Sequence, residues 1–157
     1  MPDLDAAVGF LRDAFGCVEA YRIGPFASDD DWMARHLGVA PEARIPAIAV
    51  LSCADGARLE VFQYEAPDQR REAPRNSDVG GHHVAFYTDD LPAALDQVRA
   101  AGGEVMGSPT VMTAGSSRGE TWVYVRSPWG GQFELVTRGA TFGTGSEVEA
   151  AAGPDAP

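Results

Sequence analysis

Apolar residues near the start of the chain recur at helical spacing, with Leu4, Ala7, Val8 and Leu11 forming one stripe. Leu91, Ala94, Leu95 and Val98 form a second stripe of the same kind. An aspartate precedes each, Asp3 or Asp90, where an N-cap side chain accepts a backbone N–H, and a glycine closes each. The pattern predicts helices over 3–15 and 91–101. Elsewhere apolar and polar positions alternate, or short apolar runs end in glycine turns, which predicts strands. They fall at 17–23, 45–52, 58–64, 82–88, 104–107, 120–126 and 132–137. A further helix is expected near 29–38, with Ser28-Asp29-Asp30-Asp31 as cap and acidic first turn.

The pattern repeats. Asp3-Leu4-Asp5-Ala6-Ala7 matches Asp90-Leu91-Pro92-Ala93-Ala94, and the same offset lays Arg12 on Arg99 and Gly16 on Gly103. Gly56-Ala57-Arg58-Leu59-Glu60-Val61-Phe62 likewise matches Gly130-Gly131-Gln132-Phe133-Glu134-Leu135-Val136. Such duplication implies two related folding units. The expected fold class is α+β, two βαβββ modules whose strands form a cupped mixed sheet. Residues 1–65 make the first module, with a helical insertion near 29–38, 66–81 a linker, and 82–138 the second module. Residues 139–157, rich in glycine, alanine and polar residues, read as a disordered tail. Counted back from Asp3 as His83 stands from Asp90, the first strand of module one falls before Met1, so it is expected to be missing from this sequence.

Both repeats place a glutamate, Glu60 or Glu134, among apolar strand neighbours, where a carboxylate is costly to bury without a partner. Strand alternation puts Glu60 with Phe62 and Tyr64, His83 with Ala85 and Tyr87, and Glu134 with Gln132 and Val136. With those faces lining the cup, two carboxylates and one imidazole converge. That donor set suits a divalent ion: Fe, Mn, Co, Ni, Zn or Mg. His82 points to the opposite face and reads as structural, and His36 reads as a surface residue of the inserted helix. Arg75-Asn76-Ser77-Asp78 reads as a polar turn, and Arg70 and Arg71 as solvated.

Charge narrows the partners. A formal net charge of −11 leaves no basic footprint for nucleic acid. The longest apolar runs, such as Ile45 to Leu51, are strand-sized, and no signal peptide is visible, so a cytoplasmic protein without membrane contact is expected. Cys17 and Cys53 lack metal-type spacing and read as two reduced, partly buried thiols.

His83-Val84-Ala85-Phe86, then Asp89-Asp90-Leu91 and a helix, then Pro128-Trp129-Gly130-Gly131-Gln132-Phe133-Glu134, resembles the vicinal oxygen chelate superfamily of glyoxalases, extradiol dioxygenases and bleomycin resistance proteins. The likeness spans nearly all of residues 1–138, with Ser127-Pro128-Trp129-Gly130 standing where an Asp-Pro-Asp-Gly turn is usual. The resemblance implies Glu60, His83 and Glu134 as metal ligands, with a fourth ligand position upstream of Met1. It implies that Trp122 and Tyr124 line a substrate cavity; Phe62 and Tyr87, sharing faces with Glu60 and His83, are grouped with them. It also implies a metal-dependent isomerase, epimerase or lyase acting on a small molecule with vicinal oxygens. A carboxylate, Glu134 or Glu60, would remove a carbon-bound proton, and the metal would stabilise the enediolate. An Fe(II) extradiol-type dioxygenase and a metal-free ligand-binding resistance protein are the alternatives. A homodimer is expected, with module pairing within or between chains left open.

Overall fold

The computed structural model describes residues 3–138, so the tail expected at 139–157 lies outside the described residues. The chain opens with helix α1 (Leu4–Phe15), followed by strand β1 (Val18–Ile23), helix α2 (Trp32–Leu37), strand β2 (Arg44–Ser52) and strand β3 (Arg58–Glu65). After the linker come β4 (His83–Thr88), α3 (Leu91–Ala100), β5 (Glu104–Val111), β6 (Thr121–Arg126) and β7 (Gln132–Thr137). The fold is α+β, and its second half has the βαβββ order expected of a module.

The cap chemistry is as the repeat implied. Asp3 accepts the Ala6 N–H at 2.9 Å and Asp90 the Ala93 N–H at 3.0 Å. Gly16 closes α1 in the left-handed region, φ +66°. In α3 the cap falls on Ala101, and the left-handed residue is Gly102. Gly103 has another role: a Cβ there would lie 2.7 Å from Val98 Cγ1 and 2.9 Å from the Phe10 ring, so glycine is what lets the turn settle against α1.

The strands group into two sheets. One is antiparallel with order β1-β2-β3; the other runs β4-β7-β6-β5, with β4 parallel to β7. No ladder joins the sheets among the described residues. They share a core instead. Leu4, Phe10 and Leu11 of α1 meet Leu91, Leu95 and Val98 of α3, and both helices lie on Leu51 and Val61 of one sheet and on Val123, Val125, Phe133 and Leu135 of the other. Every one of those strand positions belongs to the alternate set that excludes Glu60, Glu134, Trp122 and Tyr124. Burying the apolar set on the helices therefore turns the polar and aromatic set to the opposite face of each sheet.

Three expectations are corrected. Cys17 and Cys53 are joined in a disulfide rather than reduced, and both are buried. The glycine turn after α1 sets Cys17 just before β1, and the β1–β2 register pairs Val18 with Ser52, which brings residues 36 apart in sequence side by side. The inserted helix is also shorter than 29–38, because Asp30 accepts from the Ser28 hydroxyl and the Trp32 N–H and holds the preceding residues in a turn. Strand β5 runs on past 107 to Val111, with a register break between Met106 and Thr110 that accommodates Gly107 and Pro109.

Candidate functional site

The open face of the second sheet gathers chemistry. His83 on β4 and Glu134 on β7 come from parallel neighbours in which Ala85 pairs with Glu134 and His83 with Gln132. His83 Nε2 lies 3.1 Å from Glu134 Oε2, with the imidazole side chain 34% exposed and the carboxylate 17%. Tyr124, directly across from Glu134 on β6, packs edge-on to the His83 ring at 5.0 Å between centroids. Trp122 follows at 5.2 Å from the Tyr124 ring, and its indole N–H donates to Met112 Sδ at 3.2 Å. The Tyr124 phenol titrates above its usual range. Burial is the larger cause and the nearby Glu134 charge the smaller, so Tyr124 stays a neutral hydrogen-bond donor well above neutral pH.

Beside this pair lies a hollow of about 400 Å³, lined by Ala85, Tyr87, Trp122, Glu134, Ser117 and Glu120, among others. The Arg138 guanidinium sits over the Tyr87 ring at 5.4 Å from its centroid. Of the residues read from sequence, His83, Glu134, Trp122, Tyr124 and Tyr87 are thus brought to one face.

Glu60 and Phe62 are not brought there. Phe62 stacks on Tyr64 at 5.6 Å and packs with Met33 of α2, Ile45 and Ile48, so the insertion covers that part of the first sheet. Glu60 is exposed and lines a different cavity, of about 370 Å³, between β3 and β4. His82 lines that same cavity rather than the hollow beside Glu134, and its Nδ1 lies 3.0 Å from the Gly80 carbonyl oxygen. Imidazole and carboxylate are suitable donors for a borderline divalent ion. Among the described residues, however, no three histidine, cysteine, aspartate or glutamate side chains gather as a metal would need. His83 and Glu134 are the two such groups that come together on this face, and among the described residues no third joins them.

One residue of the hollow was missed by the sequence reading. Glu120, only 7% exposed, stands just before β6 and shares the alternation of Trp122 and Tyr124. That period-two series was the available signal, since the strand expected at 120–126 already sets Glu120 in line with Trp122 and Tyr124. The other polar turn behaves as expected: Arg75 pairs with Asp78 at 2.7 Å. His36 stacks on Trp32 at 4.8 Å on the insertion. Among the described residues no helix is long and apolar enough to cross a membrane.

Known proteins resemble the chain throughout. A 2-epi-5-epi-valiolone epimerase from Actinomyces sp. is 44% identical over 151 residues, covering 94% of this chain and 81% of that protein. A glyoxalase family protein from Bacillus cereus superposes with a TM-score of 0.67 at 20% identity, over 87% of each chain. A fosfomycin resistance protein from Listeria monocytogenes does so with a TM-score of 0.53 at 16% identity, over 87% of this chain and 85% of that one. At these identities the two structures establish the fold alone. The family model for the Glyoxalase/Bleomycin resistance protein/Dioxygenase superfamily matches residues 1–135, and the chain belongs to that superfamily.

Proposed function

We propose that the protein is an epimerase that inverts a carbon-bound stereocentre next to a ketone, on a cyclic polyhydroxylated substrate of the 2-epi-5-epi-valiolone type. The observation that carries this reading is the His83–Glu134 pair, 3.1 Å apart beside an aromatic-walled hollow. The 44% identical epimerase supplies the reaction class.

The chemistry needs a base at a C–H made acidic by the adjacent carbonyl. Glu134 is the base: its carboxylate reaches the hollow, and His83 fixes its orientation from the opposite side. As the proton leaves, charge moves to the carbonyl oxygen. Tyr124, held neutral by burial and by Glu134, can donate a hydrogen bond to that oxygen. Return of a proton to the other face of the carbon inverts the centre, with no net change in atoms or electrons.

A divalent ion belongs to this reading as its cofactor: His83, and Glu60 from a second copy, would hold it, and Glu134 would hold it only while not acting as base. When bound it would supply Lewis acidity to the vicinal oxygens. A homodimer is supported by the exposed apolar side chains Val18, Tyr21 and Ile23 on the edge strand β1.

The test is proton NMR of 2-epi-5-epi-valiolone in D2O with the purified protein. Deuterium is expected at the inverted carbon with the wild type and not with Glu134→Gln. A Glu134→Gln variant that exchanges at the wild-type rate sinks the assignment. Metal analysis and sedimentation of the same sample test the ion and the dimer.

A further inference from the structure

Glu120 has no place in that mechanism, yet its setting is unusual. The residue is 93% buried by its 7% exposure, and its carboxylate makes no hydrogen bond or ion pair among the described residues. Its backbone is fully used: the N–H donates to the Ser117 carbonyl at 3.0 Å, and the carbonyl accepts from Met112 at 2.8 Å. Among the described residues no side-chain oxygen sealed from solvent lacks a partner, so the Glu120 carboxylate meets water, and it does so through the hollow it lines with Glu134. A carboxylate left unpaired in such a place lowers stability, and sites that do so are commonly kept for binding.

Position says what it would bind. Glu120 precedes Tyr124 by four residues on an extended segment, roughly 13 Å at about 3.3 Å per residue. Tyr124 is the residue directly across from Glu134. Glu120 and Glu134 therefore enter the hollow from separate strand positions with Trp122 between them, and Trp122 is steadied by its bond to Met112. Entry from separate positions suits the two carboxylates to different parts of one bound molecule. It fits a flat-sided ring lying on Trp122, with its reacting carbon at Glu134 and a hydroxyl at the far side. An ionised carboxylate accepts hydrogen bonds and donates none, so its complement is a hydroxyl.

We propose that Glu120 is a specificity residue, accepting hydrogen bonds from hydroxyl groups of a polyhydroxylated ring at positions remote from the carbon that exchanges its proton. This rests on the reading that Glu134 acts at that carbon.

The experiment compares wild type, Glu120→Gln and Glu120→Asp. The probes are myo-inositol, cyclohexanol and cyclohexylammonium, with binding followed by ligand-observed NMR, and each variant is also melted. Wild type is expected to bind myo-inositol in preference to cyclohexanol. Glu120→Gln should lose that preference, with myo-inositol weakened roughly 10- to 100-fold, the span of a hydrogen bond to a charged group. Glu120→Asp, which keeps the charge but withdraws it by one methylene, should fall between. Glu120→Gln should melt no lower than wild type, because the carboxylate makes no hydrogen bond or ion pair among the described residues for the amide to lose; a lower melting temperature would mark a structural residue and overturn the proposal. So would undiminished myo-inositol binding by Glu120→Gln, a wild type that does not prefer the polyol, or equal weakening of cyclohexylammonium and myo-inositol, which would make Glu120 a general cation site. Deuterium exchange by Glu134→Gln is read separately. Its persistence sinks the choice of base, whereas lost polyol preference in Glu120→Gln stands or falls independently.

Discussion

The two sheets carry a glutamate at matching repeat positions and surround it differently. Glu134 has an imidazole 3.1 Å away, a phenol across the ladder and an open hollow beside it. Glu60 lies on β3, which has β2 on one side and no ladder on the other among the described residues, and the neighbouring Phe62 and Tyr64 are covered by α2. Duplication thus supplied two equivalent faces. The insertion closed much of one by packing Met33 with Ile45 and Ile48 of β2, while the other kept its aromatic wall. Equivalence in sequence fixes where a side chain points within its own module, and the surroundings decide what it can do there.

The sharpest way to break the comparison is to neutralise each glutamate in turn. Glu134→Gln should lower turnover by about 10²–10⁴-fold, the usual yield of a positioned base. Glu60→Gln should leave substantial turnover when Mn(II) is in excess and lose it at limiting metal, read from initial rates against metal concentration. Equal losses at every metal concentration would mean that both carboxylates act directly on substrate. Next in size is the Cys17–Cys53 link, which belongs to the first module alone. Replacing both cysteines by serine should cost about 2–4 kcal/mol in denaturant unfolding, the typical worth of a closed loop. Met33→Ala should cost about 2 kcal/mol by the same measurement, by opening a cavity over Phe62 and Tyr64. Turnover per folded molecule should change little, which would mark the first sheet's cover as structural.

The smallest effect concerns pH. Tyr124 titrates in the folded protein above its ordinary value of 10.0, so the folded state holds its proton more tightly than the unfolded chain does. That contribution to stability is complete below pH 10 and is lost as pH rises through the folded value. Tyr124→Phe should therefore flatten the alkaline fall in melting temperature, while leaving the melting temperature near pH 7 within a few degrees of wild type.

Much of this was legible because it is local or periodic. The aspartate caps and the apolar stripes located α1 and α3, and strand alternation alone separated His83, which meets Glu134, from His82, which lines the cavity beside Glu60. What escaped depends on neighbours distant in sequence. The disulfide needed the β1–β2 register, which no spacing of cysteines reveals. Separation of Glu60 from the His83–Glu134 pair needed the arrangement of two sheets around shared helices. Glu120 needed the Met112–Glu120 backbone bond that folds the β5–β6 connection back over the hollow.

The facing edges of β3 and β4 carry one more consequence. Among the described residues no ladder crosses the seam between them, where the cavity lined by Leu59, Glu60, Val61 and Val84 lies, while the helices α1 and α3 pack together behind it. Two halves joined in this way can slide or tilt against each other without rupturing a single main-chain bond, so the seam is the plane of easiest deformation. Any opening or narrowing there would carry Glu60 and His82 with it and leave the geometry around Glu134 as it was.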